Sequence, residues 1–339
     1  MTAIDRRSFL AASAVAAATP LLASFPRLAL AEDARVAPAI ITPKEAGKLR
    51  ILAVTDVHFF WHPDKNPRTS AHLQYAAKKW QPDAIVVCGD LWMNNPEGKG
   101  LSYCKYAISE MEKLGLPWAL ARGNHDQVNP ECNAEARALL TDAPHSLYRG
   151  AETLDCYRVE VRSAGADMPF WGLYLFNNAY PELHGFHQEQ LDWFAAEAGK
   201  VRTLYGDLPA FAFFHIPLIE WQMMSDAGNA RGVRQEPTTL REGSPGAFAA
   251  LKRENQIRAM FCGHNHQDNY FGEYQGIHLE YLRATGQGGY GGMHVSKGAT
   301  LIDLDTTGSA PVFTTATVQP GGRKFTYQHK ASRWPFPPR

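Results

Sequence analysis

Three largely apolar stretches mark the first half of the chain: Leu49 to Thr55, Ala84 to Cys88 and Pro117 to Ala121. Each stops at a polar cluster, respectively Asp56-Val57-His58, Gly89-Asp90 and Arg122-Gly123-Asn124-His125-Asp126. Short unbroken apolar runs bounded in this way are the pattern of strands buried on both faces. Between them the spacing predicts helices from about Thr69 to Trp80 and from Ser102 to Leu114, the second stopped by Gly115. Strands alternating with helices predict a parallel or mixed sheet covered by helices.

The second half changes character. Leu154 to Arg162 alternates as a half-buried strand, Phe170 to Phe176 follows, and Gln188 to Ala198 has the period of an amphipathic helix. Pro209 to Phe214 is an apolar strand ending at His215, and Ala259 to Cys262 ends at Gly263-His264. Beyond it, Tyr270 to Tyr274, Ile277 to Leu282, Ala299 to Leu304 and Val312 to Val318 read as antiparallel strands separated by glycines. Trp221 to Ser244 is polar and aperiodic, carries Arg231, Arg234 and Arg241, and is expected to be a lid or substrate loop. Polar strand ends come from both halves, so the expectation is one α/β domain of two facing sheets over residues 49–325. A leader (1–31) and a linker (32–48) precede it, and a tail (326–339) follows.

The leader changes the reading of charge and location. Arg6-Arg7 precedes an apolar run from Ala11 to Phe25 and then Ala29-Leu30-Ala31, the pattern of a twin-arginine signal peptide. Pro20 and Pro26 break the run, which falls short of the ~20 apolar residues of a membrane span. The expectation is a periplasmic or secreted protein, folded before the twin-arginine machinery exports it and left without a membrane anchor. Removing residues 1–31 takes 34 basic and 34 acidic side chains to 31 and 33, a net charge of −2, which gives no electrostatic footprint for nucleic acid. The 45% hydrophobic content is ample for a core. Five cysteines, Cys88, Cys104, Cys132, Cys156 and Cys262, show no C-x-x-C spacing and leave at least one thiol unpaired. Cys88 and Cys262 are expected as small buried hydrophobes within strands.

Candidate chemistry gathers at the strand ends: Asp56 with His58, Asp90, Asn124 with His125, His215, and His264 with His266. In D-x-H and H-x-H an extended chain presents both outer residues to one side. Carboxylate, imidazole and amide donors without thiolate suit divalent Mn, Fe or Zn. Two such clusters and a carboxylate able to bridge them match a pair of ions about 3.5–4 Å apart.

This ordered set resembles the calcineurin-like metallophosphoesterase superfamily over roughly Leu49 to Leu304. Phe213-Phe214-His215-Ile216-Pro217-Leu218, Phe261-Cys262-Gly263-His264-Asn265-His266 and Thr285-Gly286-Gln287-Gly288-Gly289-Tyr290-Gly291 resemble the branch of yeast Dcr2-type phosphatases and plant purple-acid-phosphatase-like proteins. The resemblance implies a four-layer α/β/β/α sandwich of two mixed sheets with a dinuclear site at the strand C-terminal edge. It implies that Asp56, His58 and His266 hold one ion and Asn124, His215 and His264 the other, with Asp90 bridging. His125 would act at the leaving-group oxygen, Asp126 would orient it through a hydrogen bond, and Arg122 would clamp phosphate. The purple-acid-phosphatase tyrosine is replaced by Met93, which favours two divalent ions over a ferric site. The implied activity is hydrolysis of a small phosphorylated substrate, a phosphomonoester ahead of a diester, by a water that both ions activate; a silent phospho-ligand-binding member is the alternative. Of the remaining marked residues, His62, His184, His187 and His294 are expected in loops, Gly286 to Gly292 in tight turns beside the metals, and Trp61, Trp92 and Trp221 are candidate walls for the leaving group.

Overall fold

The apolar runs become strands whose two faces pack against different layers, which is why they do not alternate with polar residues. The first half contains β1 (Ala39–Ile41), β2 (Lys48–Val54), α1 (Asn66–Trp80), β3 (Ala84–Cys88), α2 (Gly100–Glu112), β4 (Trp118–Ala121) and α3 (Asn133–Asp142). The second half begins with β5 (Cys156–Val161), β6 (Trp171–Phe176), α4 (Gln188–Tyr205), β7 (Ala210–Phe213), α5 (Ile219–Asp226), β8 (Ala230–Val233) and α6 (Ala247–Arg253). It ends with β9 (Ile257–Cys262), β10 (Asn269–Tyr274), β11 (Ile277–Tyr281), β12 (Ala299–Asp305), β13 (Val312–Val318) and β14 (Lys324–Phe325). These elements come from a computed structural model that describes residues 37–150, 154–180, 184–238, 246–293 and 295–331. The expected leader, Arg241 and His294 lie outside the described residues, and Pro38–Arg339 is one unit distinct from Met1–Ala37.

Both sheets are mixed. The six-stranded sheet has the order β14-β13-β12-β2-β3-β4, and the eight-stranded sheet the order β1-β5-β6-β7-β9-β11-β10-β8. β2, β3 and β4 run parallel in the first, as do β7, β9 and β11 in the second. Along β6, Trp171, Leu173 and Leu175 join the core between the sheets, while Tyr174 and Phe176 turn to a second core with Phe194 and Ala198 of α4. β7 and β9 divide in the same way: Phe211, Phe213, Ala259 and Phe261 face inward, and Ala212, Met260 and Cys262 face outward. Leu73 and Ala76 of α1 and Cys104, Ala107 and Met111 of α2 cover the six-stranded sheet. The result is the expected α/β/β/α layering.

Several expected boundaries move. Ala39–Ile41, within the expected linker, is an edge strand paired with Val159–Val161. Part of the expected tail also belongs to the fold, since Gly232 donates to the His329 carbonyl and Ala331 to that of Ala230. The expected loop from Trp221 holds most of α5 and all of β8, which pairs with β10. β5 is buried throughout rather than half-buried. Its polar positions are matched beneath α4: Arg158 binds Glu160 at 2.6 Å and Glu197 at 3.1 Å, and Arg162 also binds Glu160.

Candidate metal centre

The chain turns abruptly where the central strands end. Asp56, His58, Asp90 and His264 have φ values of 51°, 49°, 56° and 78°, left-handed conformations that cost side-chain-bearing residues about 1 kcal/mol or more each. Backbone bonds between neighbouring strand ends hold them there: Asp56 N donates to Gly89 O and His58 N to Asp90 O. Two glycines permit close approaches beside the ligands. A Cβ on Gly123 would lie 2.2 Å from Asp90 Oδ1, and one on Gly263 would lie 1.9 Å from Thr55 Oγ1, so the glycines preceding Asn124 and His264 let the ligand-bearing turns pack.

Two groups of donors result, Asp56 with His58 and His266, and Asp90 with His215 and His264, with donor atoms within 4.8 Å in each. They meet at Asp90, whose Oδ2 is 3.5 Å from His58 Nε2 and 3.0 Å from His215 Nε2. His266 Nε2 lies 3.2 Å from Asp56 Oδ1 and 3.0 Å from His58 Nε2. Asn124 Oδ1 is 3.1 Å from His264 Nδ1. The structure therefore brings all seven expected ligand residues together.

Hydrogen bonds behind the rings fix which nitrogen faces inward. A carbonyl only accepts, so His215 Nδ1 donates to Cys88 O at 2.8 Å and His266 Nδ1 to Tyr290 O at 3.1 Å, which turns each Nε2 toward the centre. His215 Nε2 is buried and faces Asp90 Oδ2 at 3.0 Å. Thr55 Oγ1 donates to Asp56 Oδ2, and His125 N donates to Asp90 Oδ1. Asp90 Oδ2 is thus left for the interior, while the two Asp56 oxygens share the His264 N–H, each at 3.2 Å.

Burial opposes ionisation of Asp56 and Asp90, but nearby imidazoles, His266 and His215 foremost, hold both below the usual carboxylate range. Burial keeps His58 well below its ordinary range, and burial with His215 pushes His264 down to about 4. His215 is raised to about 9, since the Asp90 and Asp56 carboxylates outweigh its burial. Two buried carboxylates, with imidazole nitrogens and an amide oxygen converging on them, form a site that cations would complete. Thiolates take no part, because Cys88 Sγ donates to Phe214 O and Cys262 packs in the outer core.

Two expected roles are corrected. Asp126 does not orient His125: its carboxylate accepts from the backbone N–H groups of Leu91, Trp92 and Gly123. The His125 ring is held by Asn94, whose Oδ1 is 2.7 Å from His125 Nδ1. Arg122 is buried, bound to Asp155 at 3.3 Å and to the Asp126 carbonyl, with its guanidinium 5.9 Å from the Trp92 ring. It braces the turn that carries Asn124 and His125 and, at 7% exposure, is committed to that packing.

Among the weaker candidates, Trp61 reaches the site, with its ring 4.7 Å from that of His58 and 5.6 Å from that of His125. Trp92 and Trp221 are buried packing residues. His184 is near enough to His264 to disfavour its charge, whereas His187 begins α4, its N–H bound by Gln190 Oε1. The glycine-rich loop does border the centre, with Gly286 N donating to Asp56 O. Sequence spacing missed Asn94, Tyr290 and Asn178, whose Oδ1 accepts from His215 N and Ile216 N.

Comparison with known proteins agrees with this geometry. The family model described as calcineurin-like phosphoesterase matches residues 49–268. "Probable inactive purple acid phosphatase 29" of Arabidopsis thaliana is 24% identical over 302 residues, covering 76% of this chain and 77% of the relative. "Phosphatase DCR2" of Saccharomyces cerevisiae is 22% identical over 262 residues, covering 67% of this chain and 45% of that protein. Among solved structures, a dimetal phosphatase from Danio rerio superposes with a TM-score of 0.55 at 13% identity, covering 83% of this chain and 99% of that one.

Proposed function

The chain belongs to the calcineurin-like phosphoesterase family, and from that premise we propose that it is a metal-dependent phosphoric ester hydrolase. The observation that carries the reading is Asp90 Oδ2, within 3.5 Å of His58 Nε2 and 3.0 Å of His215 Nε2, between two three-residue donor groups. In this reading Asp56, His58 and His266 would hold one ion and Asn124, His215 and His264 the other, with Asp90 between the two groups. When bound, two divalent ions supply Lewis acidity, neutralising phosphate oxygens and lowering the pKa of an attacking water. The donor set favours Mn, Fe or Zn, and Met93 in place of a tyrosine argues against a ferric ion.

The protein's own groups do the rest. Asn94 Oδ1 accepts from His125 Nδ1, so His125 Nε2, 4.0 Å from Asp90 Oδ2, faces the site. Only the doubly protonated ring, which burial disfavours and the Asp90 carboxylate favours, carries a proton on Nε2 to give to the leaving oxygen. Asp126 and Arg122 brace the turn that presents it. A phosphomonoester remains the proposed substrate, but without Arg122 as a clamp its second charge falls to the metals and His125. Mn-loaded protein should hydrolyse p-nitrophenyl phosphate faster than its bis-ester; the reverse order would make it a diesterase.

Three relatives' printed names, each a "Probable inactive purple acid phosphatase", favour a second reading, a silent phospho-ligand binder. Filled ligand positions and a presented His125 argue against it. Phosphate binding without turnover, unchanged by His125→Ala, would establish it. The reading also includes export: Arg6-Arg7 and the apolar run support recognition by the twin-arginine machinery and a periplasmic or secreted location. Replacing both arginines by lysine should retain the uncleaved chain in the cytoplasm, and undiminished export would refute that part.

A further inference from the structure

The site is closed on one side and open on the other. Asp56, His58, Asp90, His215 and His266 are buried, whereas Asn124, His125 and His264 are partly open, so substrate approaches over the second set. Two aromatic rings stand at this opening. Trp61 is half-buried, its ring 4.7–6.0 Å from those of His58, His125, His266 and Tyr290 and inclined by 49–86° to each. None of these four rings stacks parallel on it. Tyr290 stacks on His266 at 3.9 Å and 13°, its hydroxyl bound to Glu236 at 2.7 Å, while 38% of the residue stays exposed. Among the described residues, Arg122 is engaged with Asp155, Arg234 with Asp226, and Lys297 with the Tyr290 carbonyl.

Resting on the hydrolase reading above, we infer that the substrates are phosphate esters whose leaving group carries a planar aromatic ring, seated against Trp61 and the exposed part of Tyr290. The geometry follows from His125. The leaving oxygen takes its proton from His125 Nε2, and the Trp61 ring is 5.6 Å from the His125 ring, so the atoms attached to that oxygen meet Trp61. A planar ring gains contact with rigid aromatic walls at little entropic cost. An anionic leaving group such as a polyphosphate would instead need cations, and among the described residues Arg122 and Arg234 are already paired.

The test uses metal-loaded protein and two non-hydrolysable ligands, benzylphosphonate and ethylphosphonate, with Kd measured by calorimetry. Wild type should bind benzylphosphonate roughly tenfold more tightly, in the range of one aromatic contact. Trp61→Leu should remove that difference while leaving ethylphosphonate within about twofold, and Trp61→Phe should keep most of it. Equal affinities in wild type would overturn the inference. So would a Trp61→Leu variant that weakens both ligands alike and loses metal, because Trp61 would then only pack His58. Should Trp61→Leu not fold, the wild-type ratio and Trp61→Phe decide. Turnover of 1-naphthyl phosphate and glycerol 2-phosphate separates the two readings: selective binding without turnover of either would defeat the hydrolase and leave the aromatic subsite standing.

Discussion

Asn94 Oδ1 lies 2.7 Å from His125 Nδ1, and the backbone N–H of Asn94 donates to the His125 carbonyl, also at 2.7 Å. An amide, not a carboxylate, therefore orients the proposed proton donor. His125→Ala is expected to lower kcat by about 100-fold or more, the usual range for general acid–base catalysis. Asn94→Ala should lower it about tenfold, and the double variant should be no slower than His125→Ala, because the two act as one unit. Steady-state kinetics of the three variants check this; multiplying losses would show that Asn94 acts independently.

Arg122 tests the corrected role from the other side. Its buried pairing with Asp155 predicts a stability effect rather than a binding effect. Arg122→Ala should destabilise the fold by about 3 kcal/mol, as breaking buried ion pairs does, and leave KM for a phosphate ester within about twofold. Thermal denaturation with steady-state kinetics reads both. An unchanged Tm with a large rise in KM would restore the clamp.

The close approach at Gly123 makes a steric prediction. In Gly123→Ala the new methyl would sit 2.2 Å from Asp90 Oδ1, so the carboxylate shared by both donor groups must move. Bound metal per chain, measured by elemental analysis, should fall to about one or below. Full metal content with wild-type turnover would contradict the placement of Asp90.

Much of this arrangement was legible in the sequence because strand ends carry their own markers. Ala84 to Cys88 and Val312 to Val318 coincide with β3 and β13, since the first is apolar throughout and the second lies between clear turn signals. The seven expected ligands converge because each follows a buried strand. What spacing could not reveal was direction after the turn. Asp126 adjoins His125 in sequence, yet its carboxylate points back to the Leu91, Trp92 and Gly123 amides, while Asn94 reaches the ring from a residue with φ of 51°. β1 escaped because three residues make no period, and β8 because it is a short strand at the sheet edge with Arg231 exposed.

The cysteines give a prediction that does not depend on activity. All five are free, and only Cys132 is not buried. Burial raises Cys104 to about 12 and drives Cys88 and Cys262 well above the ordinary thiol range. Thiol titration of the native protein should therefore detect about one fast-reacting group, Cys132, and five after denaturation. Loss of the fast group in Cys132→Ser would confirm its identity; fast reaction of several thiols would contradict the packing of the strand cysteines.

The central claim is that two donor groups joined at Asp90 hold two ions that hydrolyse a phosphate ester. Its most direct test is titration of metal-free protein with Mn²⁺ while following release of p-nitrophenol from p-nitrophenyl phosphate. The account expects turnover to rise to a plateau at two ions per chain and to be largely lost in Asp90→Asn. Saturation at one ion, or no turnover at any loading, would contradict it.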